Sequence, residues 1–342
     1  MSKLRILGVG NSTSGVTYHR IALPLSTMQK EYCILTDSIS EEMIIEKEIN
    51  IVILNRFLEL VPITDLLMWK AKHGFKLVVD IDDYWELFST HVSNVTYRKL
   101  NITNVIKNYI KVADLVTTTH LRLYYEIIKI NKNCEVLPNA LPFDRDQFTS
   151  VKIPHEKVNI AHTGSVMHFP DIKQLKNPMI NLAKSKSFVD ATCMLLCGWN
   201  DYNKWHWTQI GNIYTANEKL NYKILESAHF SVYMNFYNEA DMLLVPLLDN
   251  RFNRMKSNLK ALEAGAKRIP ILTYDRDPYA DIPTIFKVED WEKDIRRMTF
   301  SKQMREDFGE ANAEYVREHY DLFKINEVRK AIYDKLIDNA SN

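Results

Sequence analysis

The stretch "FNRMKSNLKALEAG" (residues 252–265) places Lys256, Ser257, Lys260 and Glu263 within about two helical turns. A helix capped by Ser257 would turn the amides of Asn258, Leu259 and Lys260 outward, where the helix dipole favours an anion. Lys256 and Lys260 add positive charge at the same end. Glu263 follows Lys256 by seven residues and Lys260 by three, so it falls close to the same face. Its carboxylate can pair with lysine or accept hydrogen bonds from a sugar diol. Leu259, Leu262 and Ala266 would form the buried side. Two readings fit these residues: a diphosphate at the helix start with a ribose reaching Glu263, or a salt-bridged helix in water.

Other residues extend the first reading. The loop "GVGNSTSG" (residues 8–15) opens onto a helix, and glycine there permits close backbone approach to phosphate. Its third glycine, Gly15, arrives too late for the G-x-G-x-x-G fingerprint, which counts against an NAD-type oxidoreductase. A matching loop, "HTGSVMHFPD" (residues 162–171), offers Gly164 and Ser165. "KLVVDIDD" (residues 76–83) ends a strand in Asp80-x-Asp82. That is one way to hold a metal against a diphosphate, but the acids lie in the other half of the chain from the nucleotide signals. We expect no metal and assign Asp82 to an acceptor hydroxyl. His19, Arg20 and His120, near loop ends, are further acceptor-side candidates. Cys193 and Cys197 flank an apolar run without a second pair, so buried thiols are expected rather than zinc.

The elements that must position these residues alternate. Apolar strand-sized runs at residues 4–9, 49–57, 75–83, 113–119 and 134–140 are separated by helical stretches, which argues for a parallel sheet covered on both faces. Residues 141–157 hold two prolines, several charges and no periodicity, and read as a linker. The alternation restarts at residues 158–165, 191–199, 211–215, 240–247 and 268–274, and the chain is helical from about Glu289. Two Rossmann-like halves facing across a cleft follow, with ligands beyond the C-terminal strand ends. We place domains at 1–150 and 151–315, with a helix at 316–342 packing back on the first domain.

Bulk properties agree with this plan. The chain has 342 residues, a net charge of +1, 46% hydrophobic and 25% charged residues, an ordinary profile for a globular protein with two cores. No apolar run is long enough for a signal peptide or a membrane span, so a cytoplasmic protein is expected. Its four cysteines then suggest no disulfide framework, and the sequons at Asn11, Asn94, Asn101 and Asn339 carry no weight.

Three passages resemble the retaining glycosyltransferases of the GT-B fold, in their short bacterial and phage forms: "GVTYHRIALPL" (residues 15–25), "ADLVTTTHLRLYYEIIKINKNCEVLPNA" (residues 113–140) and "ADMLLVPLLDNRFNRMKSNLKALEAG" (residues 240–265). With residues 160–172 the likeness spans about residues 5–275. It implies an α/β protein of two Rossmann-like domains with C-terminal helices. The second domain would bind a nucleotide sugar, a UDP-sugar first among the candidates, with Glu263 on the ribose and Ser257, Asn258 and Leu259 on the diphosphate. Lys256 would supply a cation and share the catalytic role with Glu263 and Asp82. Gly15 would approach the donor from the first domain, and Gly164 and Ser165 from the second. Lys204 would take the place of a phosphate-binding cation. One departure stands out: where many members carry a first glutamate that contacts the transferred sugar, this chain has Met255.

The resemblance implies hexosyl transfer from a nucleotide sugar to a hydroxyl on a surface glycan, a lipid-linked sugar or a modified DNA base, with retention and with no cofactor. Residues 97–115 mix apolar positions at Leu100, Val105, Ile106 and Ile110 with Arg98, Lys99, Lys107 and Lys111. They could lie on a membrane carrying a lipid-linked acceptor or pack as a surface helix. Near-neutral charge argues against tight duplex binding. A non-catalytic nucleotide-binding protein of the same fold is the reading from another class.

Overall fold

Continuous runs of β-branched and aliphatic residues fit strands buried on both faces, and the chain uses them that way. In the computed structural model, which describes residues 4–11, 14–28 and 33–338, the first sheet contains β1 (Ile6–Val9), β2 (Cys33–Thr36), β3 (Ile51–Asn55), β4 (Lys76–Ile81), β5 (Leu115–Thr118) and β6 (Cys134–Val136). The second contains β7 (Val158–Thr163), β8 (Thr192–Trp199), β9 (Tyr222–Glu226), β10 (Met242–Leu244), β11 (Ile271–Thr273) and β12 (Phe286–Lys287). Ser12 and Thr13 of the first glycine loop and the sequon at Asn339 lie outside the described residues.

Both sheets are parallel, in the orders β2-β1-β3-β4-β5-β6 and β12-β11-β10-β7-β8-β9. Strand order reverses beside β1 in the first sheet and beside β7 in the second. Connections there leave in opposite directions and open a crevice at the strand ends, where α/β sheets bind ligands. The two glycine loops follow β1 and β7 directly, so each sits at its sheet's switch point.

Each sheet is covered on both faces by apolar clusters. After β6 the chain crosses to the second domain near Leu141, and it crosses back beside the same residue. Leu141 N–H donates to the Tyr320 carbonyl at 3.1 Å, and Leu322 N–H to that of Leu141 at 3.1 Å. The last helix, Leu322–Asp338, then lies on the first domain. Its Tyr333 and Ile337 join Ile6, Ile21, Leu25, Ile51 and Val78 in one core. Asn326 ties it down by donating to the Pro24 carbonyl at 2.9 Å and Thr27 Oγ1 at 2.7 Å.

One sequence expectation is corrected. Residues 211–215 form the end of the helix Lys204–Tyr214 and its cap, Thr215. Trp207, Ile210 and Tyr214, three and four positions apart, form its buried stripe, and helical period wins over a short β-branched run. The basic amphipathic segment at residues 97–115 breaks at Asn101 (φ +53°) into helices Asn94–Lys99 and Ile102–Val112. Ile106 and Ile110 are buried in the first domain's core, so its apolar stripe is spent on packing and only Leu100 stays exposed. No helix among the described residues is long and apolar enough to cross a membrane.

Candidate functional site

A cleft of about 780 Å³ separates the strand ends of the two domains, and most of the residues singled out in the sequence converge on it. Ser14, Gly15, Val16, His19 and Asn139 face it from the first domain; His162 to Ser165, Lys256, Ser257, Leu259, Lys260 and Glu263 face it from the second. Asn258 and His120 do not line it, and Lys204 stands exposed outside it.

The helix Leu259–Ala266 starts one residue later than the sequence suggested. Asn258, not Ser257, occupies the cap position, and its side chain donates to Tyr320 Oη at 2.8 Å instead of closing the first turn. Asn258 is thereby turned from the cleft toward the crossing segment. The first turn of a helix leaves amides without intrahelical partners. Ala261 N–H bonds the Asn258 carbonyl, which leaves the amides of Leu259 and Lys260 at the cleft wall. Beside them stands Lys256, whose Nζ is 3.9 Å from Asp83 Oδ2 and 4.7 Å from the centre of the Phe252 ring. Among the described residues it has no counter-ion within hydrogen-bond distance, and it stands beside amides that have no described partner.

Glu263 is buried and already engaged. Tyr233 Oη donates to Oε1 at 2.9 Å, and Tyr237 Oη and Lys260 Nζ donate to Oε2 at 2.5 and 2.7 Å. Burial pushes its pKa up, but Lys260, neighbouring His19 and these hydrogen bonds outweigh burial and hold it below the ordinary glutamate value. A diol reaching Glu263 therefore meets Oε1, where Tyr233 already sits. His19 Nε2 is 3.0 Å from Tyr233 Oη, so the first domain touches this network directly.

His19 and His162 are both buried, line the cleft and carry a ring nitrogen without a partner among the described residues: Nδ1 in His19 and Nε2 in His162. Burial lowers their pKa values to about 4 and about 3, against 6.5 in an exposed chain. Because the folded values are depressed, each contributes stability fully present above pH 6.5 and lost as pH falls through the folded value. At about 1.4 kcal/mol per pKa unit, the shifts correspond to roughly 3 kcal/mol for His19 and roughly 5 kcal/mol for His162. Urea unfolding from pH 7 to 4 should show this loss, and His162→Gln should flatten it.

Several assignments change. Asp82 reaches the cleft wall, but its carboxylate is taken by Arg56 Nε and Nη2, both at 2.7 Å, and by Asn55 Nδ2 at 3.1 Å. Burial would raise its pKa; Arg56 overrides this and holds it at about 2. Asp82 thus anchors Arg56 rather than presenting a free base to an acceptor. Asp80 is likewise closed on Arg20, so the two carboxylates of the Asp80-x-Asp82 pattern go to two different arginines. Arg20 is buried at the cleft wall, with three of its five N–H donors already held by Asp80 and Asn139. His120 caps the helix Leu121–Ile127 and its Nε2 lies 2.9 Å from the Met255 carbonyl, which makes it a tie between domains. Lys204 begins its helix on the solvent side, and Asn200 and Asn203 face the cleft in its place. Met255, half-buried, packs its side chain against the first domain's apolar cluster, so the position where the resemblance would put a sugar-side glutamate faces packing instead.

Asn139, His168, Gly198, Phe230 and Tyr233 also line the cleft and were missed. Gly198 (φ +133°) is the next-to-last residue of β8, and a Cβ there would collide with the Gly164 carbonyl and the Trp207 ring. Asn139 was findable: it follows β6 in "CEVLPNA", beyond a parallel strand's carboxyl end. Tyr233 gave no signal, since its loop has neither period nor motif.

Gly15 supplies a test of close approach. A Cβ built there meets nothing within 4 Å, so the fold itself does not need glycine at this position. Gly15→Val should leave the melting temperature within about 2 °C and weaken nucleoside diphosphate binding about tenfold or more by filling ligand space. Calorimetric titration checks it; unchanged affinity would place the ligand elsewhere.

No family model matches the sequence, and no curated protein matches it. Solved structures do match over the whole chain. Sucrose-phosphate synthase from Thermosynechococcus elongatus superposes with a TM-score of 0.67 at 13% identity, covering 98% of this chain and 100% of that one. HepE from Anabaena, solved with UDP and glucose, gives 0.68 at 10% identity, covering 97% and 100%. Trehalose 6-phosphate synthase from Burkholderia multivorans gives 0.64 at 10%, covering 99% and 98%. At such identities the likeness is one of fold: two parallel sheets arranged as in the GT-B glycosyltransferases.

Proposed function

We propose that the protein transfers a hexosyl group from a nucleoside diphosphate sugar, UDP-linked first among the candidates, to an acceptor hydroxyl, with retention and without a metal. The observation that carries this reading is the meeting, in one interdomain cleft, of Lys256, the free amides of Leu259 and Lys260, and an unobstructed Gly15. Together they form a place for a diphosphate between two switch points, with Glu263 about one helical turn away for the ribose. As the bond from the anomeric carbon to the diphosphate breaks, its electrons go to a phosphate oxygen. Lys256 and the helix N-terminus stabilise that charge. The acceptor oxygen bonds to the anomeric carbon and its proton leaves with the diphosphate. Positioning supplies the rest of the rate enhancement.

The acceptor belongs to a glycan, a lipid-linked sugar or a modified nucleic-acid base. With the apolar stripe of residues 102–112 buried and a net charge of +1, neither an amphipathic membrane helix nor broad duplex contact is favoured. Met255, an apolar and half-buried side chain packed on the first domain, favours one second reading, a protein that binds nucleotide sugars without transferring the sugar. Incubating purified protein with UDP-glucose, UDP-N-acetylglucosamine, GDP-mannose and ADP-glucose, with and without sugar acceptors, tests both. Nucleoside diphosphate release and an α-linked product seen by NMR support transfer. Binding without turnover supports the second reading.

A further inference from the structure

A buried hydrogen-bond chain runs from the core of the first domain to the lip of the cleft. Asp80, held by Thr117 Oγ1 at 2.6 Å, accepts from Arg20 Nε at 2.9 Å and Nη2 at 2.8 Å. Arg20 Nη1 donates to Asn139 Oδ1 at 3.0 Å, and Asn139 Nδ2 donates to Ser257 Oγ at 2.8 Å. Asp80, Arg20 and Asn139 are each 5% exposed or less.

The chemistry of these groups fixes the direction of every bond. A guanidinium only donates, so the Asn139 oxygen must face Arg20. The amide's NH2 must then face Ser257, and Ser257 Oγ must accept. Its own proton is thereby turned away from Asn139, and Ser257 donates to no described residue. Ser257 lines the cleft beside Lys256 and the amide of Leu259.

We infer that Asn139, oriented by Arg20 and Asp80, is a positioning residue that aims the Ser257 hydroxyl proton at the donor's diphosphate. This inference rests on the nucleotide-sugar reading and deepens it. It gives Ser257 a side-chain role and carries a constraint from the first domain to an anion held by the second. The device also favours anions over neutral ligands, because an outward-facing hydroxyl hydrogen attracts one and repels cations.

Asn139→Asp reverses the polarity at nearly constant shape. The carboxylate still accepts from Arg20, but it can only accept from Ser257 as well. The Ser257 proton turns inward and its lone pairs face the cleft. Calorimetric titration with UDP, GDP, ADP and dTDP, each paired with its nucleoside, reads the effect. For whichever diphosphate the wild type binds, Asn139→Asp should raise Kd about tenfold, the loss of one hydrogen bond to a charged group. The nucleoside should bind within about twofold of wild type by the same reasoning, because that bond serves only the phosphates. In a Ser257→Ala background the same change should add less than about threefold, since the hydroxyl it acts through is gone. Ser257→Thr should keep the affinity that Ser257→Ala loses. If Asn139→Asp fails to fold, Ser257→Ala against Ser257→Thr decides alone. Unchanged affinity in Ser257→Ala, or an equal Asn139→Asp loss in its presence, overturns the inference and leaves the functional reading standing. A wild type that binds none of UDP, GDP, ADP and dTDP overturns both.

Discussion

Lys256→Met lowers kcat/KM for sugar transfer by about 10²–10³-fold, with the melting temperature within about 2 °C of wild type. Methionine keeps the length and the packing over Phe252 and removes only the charge. In the free protein that charge is weakly used: the nearest carboxylate oxygen, on Asp83, is 3.9 Å away, beyond a hydrogen bond. Its removal therefore costs folding little. The leaving diphosphate gains charge as the glycosidic bond breaks, and a preplaced cation in the cleft is worth about 3–4 kcal/mol to that state. Initial-rate kinetics of the two proteins check this. A fall of less than about threefold would remove Lys256 from the chemistry, since a preplaced transition-state cation is worth far more.

Glu263→Ala acts on folding as well as on the ligand. The substitution removes the acceptor of two buried tyrosine hydroxyls and the partner of Lys260. Unsatisfied buried donors cost about 1–3 kcal/mol each, tempered here because Lys260 can turn to water, so a loss of about 3 kcal/mol is expected in urea unfolding at pH 7. The pH dependence has a definite sign. The folded pKa of Glu263 is depressed, so the stability it contributes is present above the unfolded glutamate value near 4.3 and is lost as pH falls below it. The deficit of Glu263→Ala should therefore shrink in that acid range, and a pH-independent deficit would contradict the assignment. Glu263→Gln keeps the shape, and it separates folding from any effect on nucleotide affinity.

Much of this was legible in the chain because it is local. Strands buried on both faces announce themselves as apolar runs, and β1, β3, β4, β7, β8 and β10 were read from such runs. The edge strands β2 and β9 are half exposed, with burial too broken to stand out from loops. Residues 211–215 were mistaken for a strand because five residues cannot distinguish the two periods. At the site, residues close in sequence kept their expected neighbourhood: Lys256, Ser257, Leu259 and Glu263 sit on one helix start and its first turns. Pairings across long separations were invisible. Arg20 and Asp80 are sixty residues apart, Asn139 and Ser257 more than a hundred, and nothing in either segment names the other. That is why Arg20 and Asp82 looked like free cleft groups, although each is neutralised by a partner from another strand end. Lys204 failed for a related reason: sequence position placed it near the cleft, but helix phase turned it to solvent.

Nucleotide binding by the unmodified protein tests the central claim most directly. Thermal melting with UDP, GDP, ADP and dTDP, each at about 100 times a micromolar Kd, should show one nucleotide raising stability by about 2.7 kcal/mol. For a chain of this size that is a shift of several degrees. If no diphosphate moves the melting curve, the interdomain cleft is not a nucleotide-sugar site.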